Sequence, residues 1–442
     1  NGNVDDIFEI DVENRNSVVT GNTISKGLKA GTYLEVATGP MITIADFRRS
    51  NALTSNYLPS TVQPVANSRC CPLMSTNKVV EKNITAYALL DHSVLANHAL
   101  YDSFYFSTIA AKKDKDVKTV FTQFMDGKAP LWSQAFQPYL SPGKKMETAN
   151  TEMFLAGQHS QDAYQLAAEY QLVRGSFNCN STSVQAWKAM LSSLSKSEIP
   201  VFWPKSLKVD FDKPYAVPVL PMSLVNGGAA SLAVVNKANI EDVKCNQWNG
   251  YRELTEVQLD KLATEIVAQV KSRGPFLSMS EFVNRQIGYN SELTRSGALQ
   301  NAIDKSKINE GFFTTQIPLA VADLNKPLLY RNKTVENAMG NPAEGAPGWI
   351  TQGDLMRIIE PLATVRSDTF VIRTCGEATD ENGKITARAF AEAVVQRVPD
   401  YLNPVDRPSV NVYTTATANA TNKFFGRRIN IVSFRWLSNQ EV

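Results

Sequence analysis

The sequence predicts an α+β fold, a helical hairpin module combined with an antiparallel β-containing region. Two observations carry this. In the middle of the chain, Leu259, Leu262, Ile266 and Val270 recur at helical spacing, the period that gives a helix one buried face. Near the end, the alternating segments 368–379 and 380–398 surround Asn382-Gly383, a strong hairpin signal because both turn residues are expected at positive φ.

Bulk numbers bound the rest. The chain has 442 residues, too many for one ordinary core, so two or three domains are expected. Hydrophobic residues make up 43% and charged residues 20%, a globular balance. The net charge of +2 gives no reason to expect nucleic acid or anionic lipid as the main partner. The most apolar run, 215–235, is interrupted by prolines, Asn226 and Gly227-Gly228, so no membrane span is expected. The start, "NGNVDDIFEI", has neither an initiator Met nor an apolar leader core. It reads as a mature or truncated product.

Taken in order, residues 1–84 read as β-rich and loop-rich, with short β-branched segments between Gly, Asn and Ser turns. Residues 85–148 alternate an aromatic-rich helix with polar loops. Residues 149–175 are expected as one long helix, with Leu155, Ala163, Leu166, Ala167 and Tyr170 roughly on one face. The stretch "VRGSFNCNSTSVQAWKAMLSSL" (172–193) follows. Its Asn178, Asn180, Ser181 and Thr182 stand before a helix as turn and N-cap residues, Ser181 or Thr182 closest to the start. Residues 196–250 lack helical period and read as an insert with some strand. The helix after residue 252 is expected to end with Gly274 in the left-handed C-terminal position and Pro275 unable to continue it. Phe276 follows, and Ser278 or Ser280 caps the next helix. Further helices are expected at 296–310 and 351–363, a loop at 340–349 and a last strand at 427–437.

Recognisable chemistry is scarce. Three histidines, His92, His98 and His159, lack metal-ligand spacing. Five cysteines form no CxxC pair. Cys70-Cys71 is vicinal, and a Cys179–Cys245 disulfide competes with buried free thiols. Motifs for nucleophilic catalysis, phosphate cradling and dinucleotide binding are missing, so no catalytic residue and no cofactor is assigned. Asp380, Glu381 and Asn382 could offer oxygens to calcium, but they lack the spacing of a calcium loop. A solvated turn is the simpler reading. Trp187, Phe282 and Trp436, like Phe276, are candidate interface anchors, with core packing the competing reading.

Several of these blocks carry a resemblance. "SFNCNSTSVQAWKAML" with "IVAQVKSRGPFLSMSEF" resembles the helical domain of the K-type minor pseudopilin of type II secretion systems. Over most of the chain from about residue 85, "LVRGSFNCNSTSVQAWKAMLSSL", "TQGDLMRIIEPLATVRSDTFVIRTCGEA" and "ITARAFAEAVVQRVPDYL" resemble recurring blocks of the Verru_Chthon cassette protein A family of Verrucomicrobia. The resemblance implies a pseudopilin-like helical module over 149–310, with the insert 196–250. It implies a pilin-like antiparallel scaffold in 311–442, with the hairpin 368–398. It further implies a non-enzymatic structural or assembly subunit of a pilus-like or secretion-like system, in the cell envelope or outside the cell. Its partners would be pilin-like proteins or further copies of itself. The prepilin peptide and apolar N-terminal helix of such proteins are missing from this sequence, so a C-terminal portion of a longer protein is expected. A surface module binding carbohydrate or another ligand is the alternative, and a hydrolase the third.

Overall fold

A computed structural model describes residues 8–10, 16–18, 41–49, 65–66, 69, 91–101, 109–112, 114–156, 158–175, 177–195, 198–203, 208–212, 218–222, 250–288, 292–309 and 348–441. Helix and strand are mixed, the sheets are small and mostly antiparallel, and the class is α+β.

In chain order the elements begin with β1 (Phe8–Ile10), β2 (Asn16–Val18), a 3-10 turn (Ile44–Arg49), α1 (His92–Tyr101) and α2 (Val117–Met125). Next come β3 (Phe136–Pro138), α3 (Met146–Met153), β4 (Phe154–Leu155), β5 (Gln158–His159), α4 (Ala163–Leu166), β6 (Gln171–Val173) and β7 (Phe177–Asn178). They continue with α5 (Val184–Leu191), β8 (Ile199–Trp203), β9 (Lys208–Asp212), β10 (Val219–Met222) and β11 (Gly250–Glu253). Then follow α6 (Glu256–Arg273), α7 (Met279–Val283), α8 (Ala298–Ser306), α9 (Gln352–Ile359) and β12 (Ala363–Thr364). The chain ends with β13 (Thr369–Thr379), β14 (Ile385–Tyr401), α10 (Ala420–Phe425) and β15 (Arg427–Leu437).

Two compact units result, and they interleave: residues 1–105 with 179–361, and 106–178 with 362–442. The first is helical at its centre. α6 packs against α5 and α8, and α7 against α1 and α8. α6 opens with a capping box, Thr255 with Gln258, and buries Leu259, Leu262, Ile266 and Val270 as their spacing predicts. Gln300 and Gln352 exchange backbone hydrogen bonds through their side chains, at 3.1 and 2.9 Å, tying α8 to α9. Two buried ion pairs, Arg48–Asp354 at 2.8 Å and Arg285–Asp91 at 3.0 Å, join distant segments of this unit.

The second unit has its own core, centred on Phe121, Phe124, Leu131, Met153 and Tyr170. Phe121 meets Phe154 and Tyr170 edge-on at 5.4 and 5.6 Å, the offset geometry aromatic quadrupoles favour. β7 and β12 pair in parallel, Phe177 with Ala363.

Several expectations need correction. The single helix over 149–175 is broken into α3, the β4–β5 hairpin, α4, a 3-10 turn and β6. Ala156 turns the chain at φ 49°, and Ser160 donates its N–H to Met153 O across that turn. Residues 149–178 therefore belong to the second unit rather than to one helical module with 179–310. Gly274 is extended rather than left-handed, at φ −80° and ψ −178°. The reason is Pro275, whose ring disfavours helical geometry in the residue before it. Between β13 and β14, positive φ occurs at Gly383 but not at Asn382. Asp380 Oδ1 accepts the Asn382 and Lys384 N–H groups at 3.0 and 2.8 Å, so a longer Asp-centred turn replaces the two-residue one. The insert contributes β8, β9 and β10, and its residues 223–249 lie outside the described residues, as do Cys70, Cys71, Cys245 and 340–347.

Candidate docking surface

β13, β14 and β15 form an antiparallel meander of 11, 17 and 11 residues. Its base is fixed to the second unit. Asp400 accepts hydrogen bonds from Tyr139 Oη at 2.5 Å and Ser141 Oγ at 2.6 Å. Asp368 accepts from the Val173 N–H at 2.8 Å and pairs with Arg397 at 2.8 Å. Beyond that base, β13 is exposed from Phe370 to its end.

Strand alternation divides the sheet into two faces. One is charged. Arg373 and Arg435 both donate to Glu392, at 2.7 and 2.9 Å, and Arg388 donates to Glu377 at 2.8 Å. The hydrogen bond from Arg373, and then that from Arg435, hold the Glu392 carboxyl below its usual range.

The other face is apolar. Its central strand presents Ala387, Ala389, Ala391 and Ala393 at alternate positions, followed by Val395. On one side, Phe370 and Ile372 of β13 face Val395 and Ala393, and Thr374, Gly376 and Ala378 flank the other three alanines. On the other, Trp436, Phe434 and Ile431 of β15 face Ala391, Ala393 and Val395, Ile429 faces Arg397, and β15 has no residue paired with Ala387 or Ala389. Strict alternation would put Ile429 and Ile431 on the opposite face from Phe434 and Trp436. A bulge prevents it. Val394 pairs with Ser433 and Val395 with Ile431, leaving Val432 as the extra residue. One inserted residue flips the register of everything beyond it, and all four large side chains share a face. Phe434 and Trp436 meet edge-on at 5.4 Å. Ile431 and Trp436 are both 71% exposed. The six large residues together expose on the order of 700 Å², more than the few hundred Å² of an ordinary surface patch.

The residues singled out in the sequence fall into three places. Trp187 and Phe282 are fully buried and stack at 6.0 Å. Phe276 meets Phe282 edge-on at 5.3 Å and is buried as well. These three are core, which corrects their reading as interface anchors; Trp436 is at the surface. The polar residues 180–183 and the segment 274–276 form one joint. Asn180 accepts the Phe276 N–H at 2.6 Å and donates to the Phe276 carbonyl at 2.9 Å, clamping the peptide beyond Gly274-Pro275. The helix cap is Ser183, whose Oγ accepts the Ala186 N–H, rather than Ser181 or Thr182. The Ser181 carbonyl instead accepts the Trp187 indole N–H at 2.8 Å. Thr182 is exposed, and Asn178 ends β7 in the other unit. Asn382 and Gly383 lie at the tip of the meander, far in sequence from the joint at 180–183 and 274–276.

Glu152 and Glu169 converge on Lys144 and Arg407, with Tyr170 donating to Glu152 at 2.6 Å. Burial alone would raise both carboxyls, but these hydrogen bonds and cations leave both lowered. Neither is held protonated as a general acid, and the cluster reads as a buttress. His159 packs on Phe154 at 5.5 Å, and His98 Nδ1 lies 3.4 Å from Ser280 Oγ. Among the described residues, no group of three His, Cys, Asp or Glu is placed to hold a metal. The Cys179 thiol lies 3.7 Å from Met279 Sδ, and burial pushes it up to about 12. No helix among the described residues is long and apolar enough to cross a membrane.

Compared with known proteins, the chain matches no family model, no curated protein and no solved structure.

Proposed function

We propose that this chain is a non-enzymatic structural or assembly subunit that works by docking another protein element onto the apolar face of its C-terminal sheet. The observation that carries this is the exposed apolar cluster of Phe370, Ile372, Ile429, Ile431, Phe434 and Trp436, grouped about Ala391, Ala393 and Val395. Its area approaches the ~800 Å² that one partner contributes to a standard interface. Ala393 lies between Ile372 and Phe434, which stand two strand spacings or roughly 10 Å apart, and forms a notch in the apolar surface. The apolar stripe of a helix of a pilin-like partner suits that surface, with one side chain seated in the notch. The resemblance to pseudopilins supports the same reading and would place the subunit in the cell envelope or outside the cell.

A carbohydrate-binding platform is the competing reading. Phe434 and Trp436 stand edge-on rather than coplanar, and the residues directly facing them, Ala393 and Ala391, offer no hydrogen-bonding side chain. Both features favour protein docking.

The test is to isolate the native assembly and ask whether this chain copurifies with pilin-like proteins. Ile431→Glu combined with Trp436→Glu should abolish copurification. Both sites are exposed, so folding stability should change by less than about 1 kcal/mol. Recovery of the unmodified chain as a monomer without such partners would overturn the proposal.

A further inference from the structure

Among the described residues, no further strand pairs with either edge of the meander, β13 or β15, and the two edges differ. Natural proteins blunt free edges with bulges, prolines and like charges. β15 carries the Val432 bulge and Arg427, Arg428 and Arg435, charges of one sign. β13 contains no proline, and its pairing with β14 is regular from Thr369 to Ala378. Its two charges, Arg373 and Glu377, are opposite in sign and stand symmetrically about Cys375.

We propose that β13 pairs antiparallel with β13 of a second copy of this chain, about a two-fold axis through Cys375. A two-fold perpendicular to the sheet keeps the faces of both copies on the same side. Facing residues must then share a face, and the axis must fall on a residue. Centring on Arg373 or on Glu377 would oppose like charges. Centring on Thr374 or Gly376 would leave both charges facing uncharged partners or none. Cys375 is the centre that places Arg373 opposite Glu377 of the second copy, twice by symmetry. It also sets Thr374 opposite Gly376 and Val371 opposite Thr379.

The charged face then continues across the junction with alternating sign. Within one copy the row runs Arg435, Glu392, Arg373. Across the junction it would meet the second copy's Glu377 and then its Arg388, which are already paired with each other. Opposite charges directly across strands stabilise pairing, and like charges oppose it. The result is a six-stranded sheet whose apolar face is twice as wide. The pairing uses backbone groups of the edge and does not depend on what covers the apolar face.

Charge exchange between copies tests the register. Arg373→Glu makes the strand wholly acidic and Glu377→Arg makes it wholly basic. Each variant alone should dimerise about tenfold more weakly than the unmodified chain, because two pairs become two repulsions. A mixture of the two should restore dimerisation, since each acidic strand meets a basic one. Loss of pairing inside one copy, with Glu392 or Arg388, would not be repaired by mixing. Circular dichroism establishes that both variants fold.

The unmodified chain supplies a second readout. Cys375 is an exposed free thiol and would face its symmetry mate. Two thiols oxidised by diamide, which takes up the two electrons and two protons, should give a disulfide-linked dimer that Cys375→Ser abolishes. With Cys70, Cys71, Cys245 and Cys375 all changed to serine, mixed Thr374→Cys and Gly376→Cys chains should cross-link to each other. A Cβ at Gly376 meets nothing nearer than 4.0 Å, so that substitution fits. A chain that stays monomeric to its solubility limit, or variants that mixing does not rescue, would overturn the proposal. So would cross-linking through β15 in place of β13.

Discussion

Glu360 carries the sharpest consequence of any single side chain. It follows α9 and accepts the Ile44 and Ala45 N–H groups at 3.4 Å each. Burial of its carboxyl, helped by the nearby Asp46 charge and resisted by those two hydrogen bonds, raises its pKa to about 8. The folded chain therefore keeps this proton to about pH 8, whereas the unfolded chain releases it near the ordinary 4.5. Between those values the native state binds more protons, so stability is highest at the acidic end and falls as pH rises. The residue is only partly buried, so the slope should lie below the roughly 1.4 kcal/mol per pH unit of a full proton difference. Denaturant titrations between pH 5 and 8 should show this fall in the unmodified chain and a flatter profile in Glu360→Gln. Equal slopes would exclude Glu360 as the source. Nothing in the sequence marked this carboxyl, because its burial depends on a segment more than 300 positions away. Trp187 and Phe282 were illegible for a related reason. An aromatic side chain serves a core or an interface equally well, and only the packing of α5 on α6 and α7 decides.

At the scale of elements, local signals were legible wherever neighbours in sequence were also neighbours in space. The apolar stripe of α6, the serine cap of α7 and the last strand at 427–437 all follow from their own residues. Two elements escaped for definite reasons. The helix read over 149–175 fails because the turn at Ala156 interrupts it. The Val432 bulge is set by pairing across the sheet, which alternation within one strand cannot reveal. The end of α6 lies between these cases. A glycine was expected there, but its reason is proximity rather than handedness. A Cβ on Gly274 would lie 2.7 Å from the Val270 carbonyl, which accepts the Gly274 N–H. Gly274→Ala must move the chain at the peptide held by Asn180, and should destabilise by about 1–3 kcal/mol. Equilibrium denaturation checks this, and a change below about 0.5 kcal/mol would show that the turn relaxes freely.

For the whole molecule, the order in which the two units share the chain matters most. No composition shift marks 105, 178 or 361, and the strands that join the second unit's two segments are two residues long. Its discontinuity was therefore invisible in the sequence. Because β7 and β12 are hydrogen-bonded neighbours, the chain leaves this unit at 178 and re-enters at 362 beside the exit. Two strands paired in parallel with Phe177 facing Ala363 leave roughly 8 Å to bridge, from the ~4.8 Å strand spacing and ~3.3 Å rise per residue. A Gly/Ser linker of about five residues spans that distance. The unit also owns a core in Phe121, Phe124, Leu131, Met153 and Tyr170 and a charged buttress in Lys144, Glu152, Glu169 and Arg407. A chain joining 106–178 to 362–442 through such a linker should fold alone. It should unfold in one cooperative transition and give dispersed amide signals. It should also keep the accessible Cys375 thiol and bind hydrophobic dye at the exposed apolar sheet face. A collapsed, non-cooperative product would show that this unit needs the inserted segment to fold, and that the insertion is structural rather than appended.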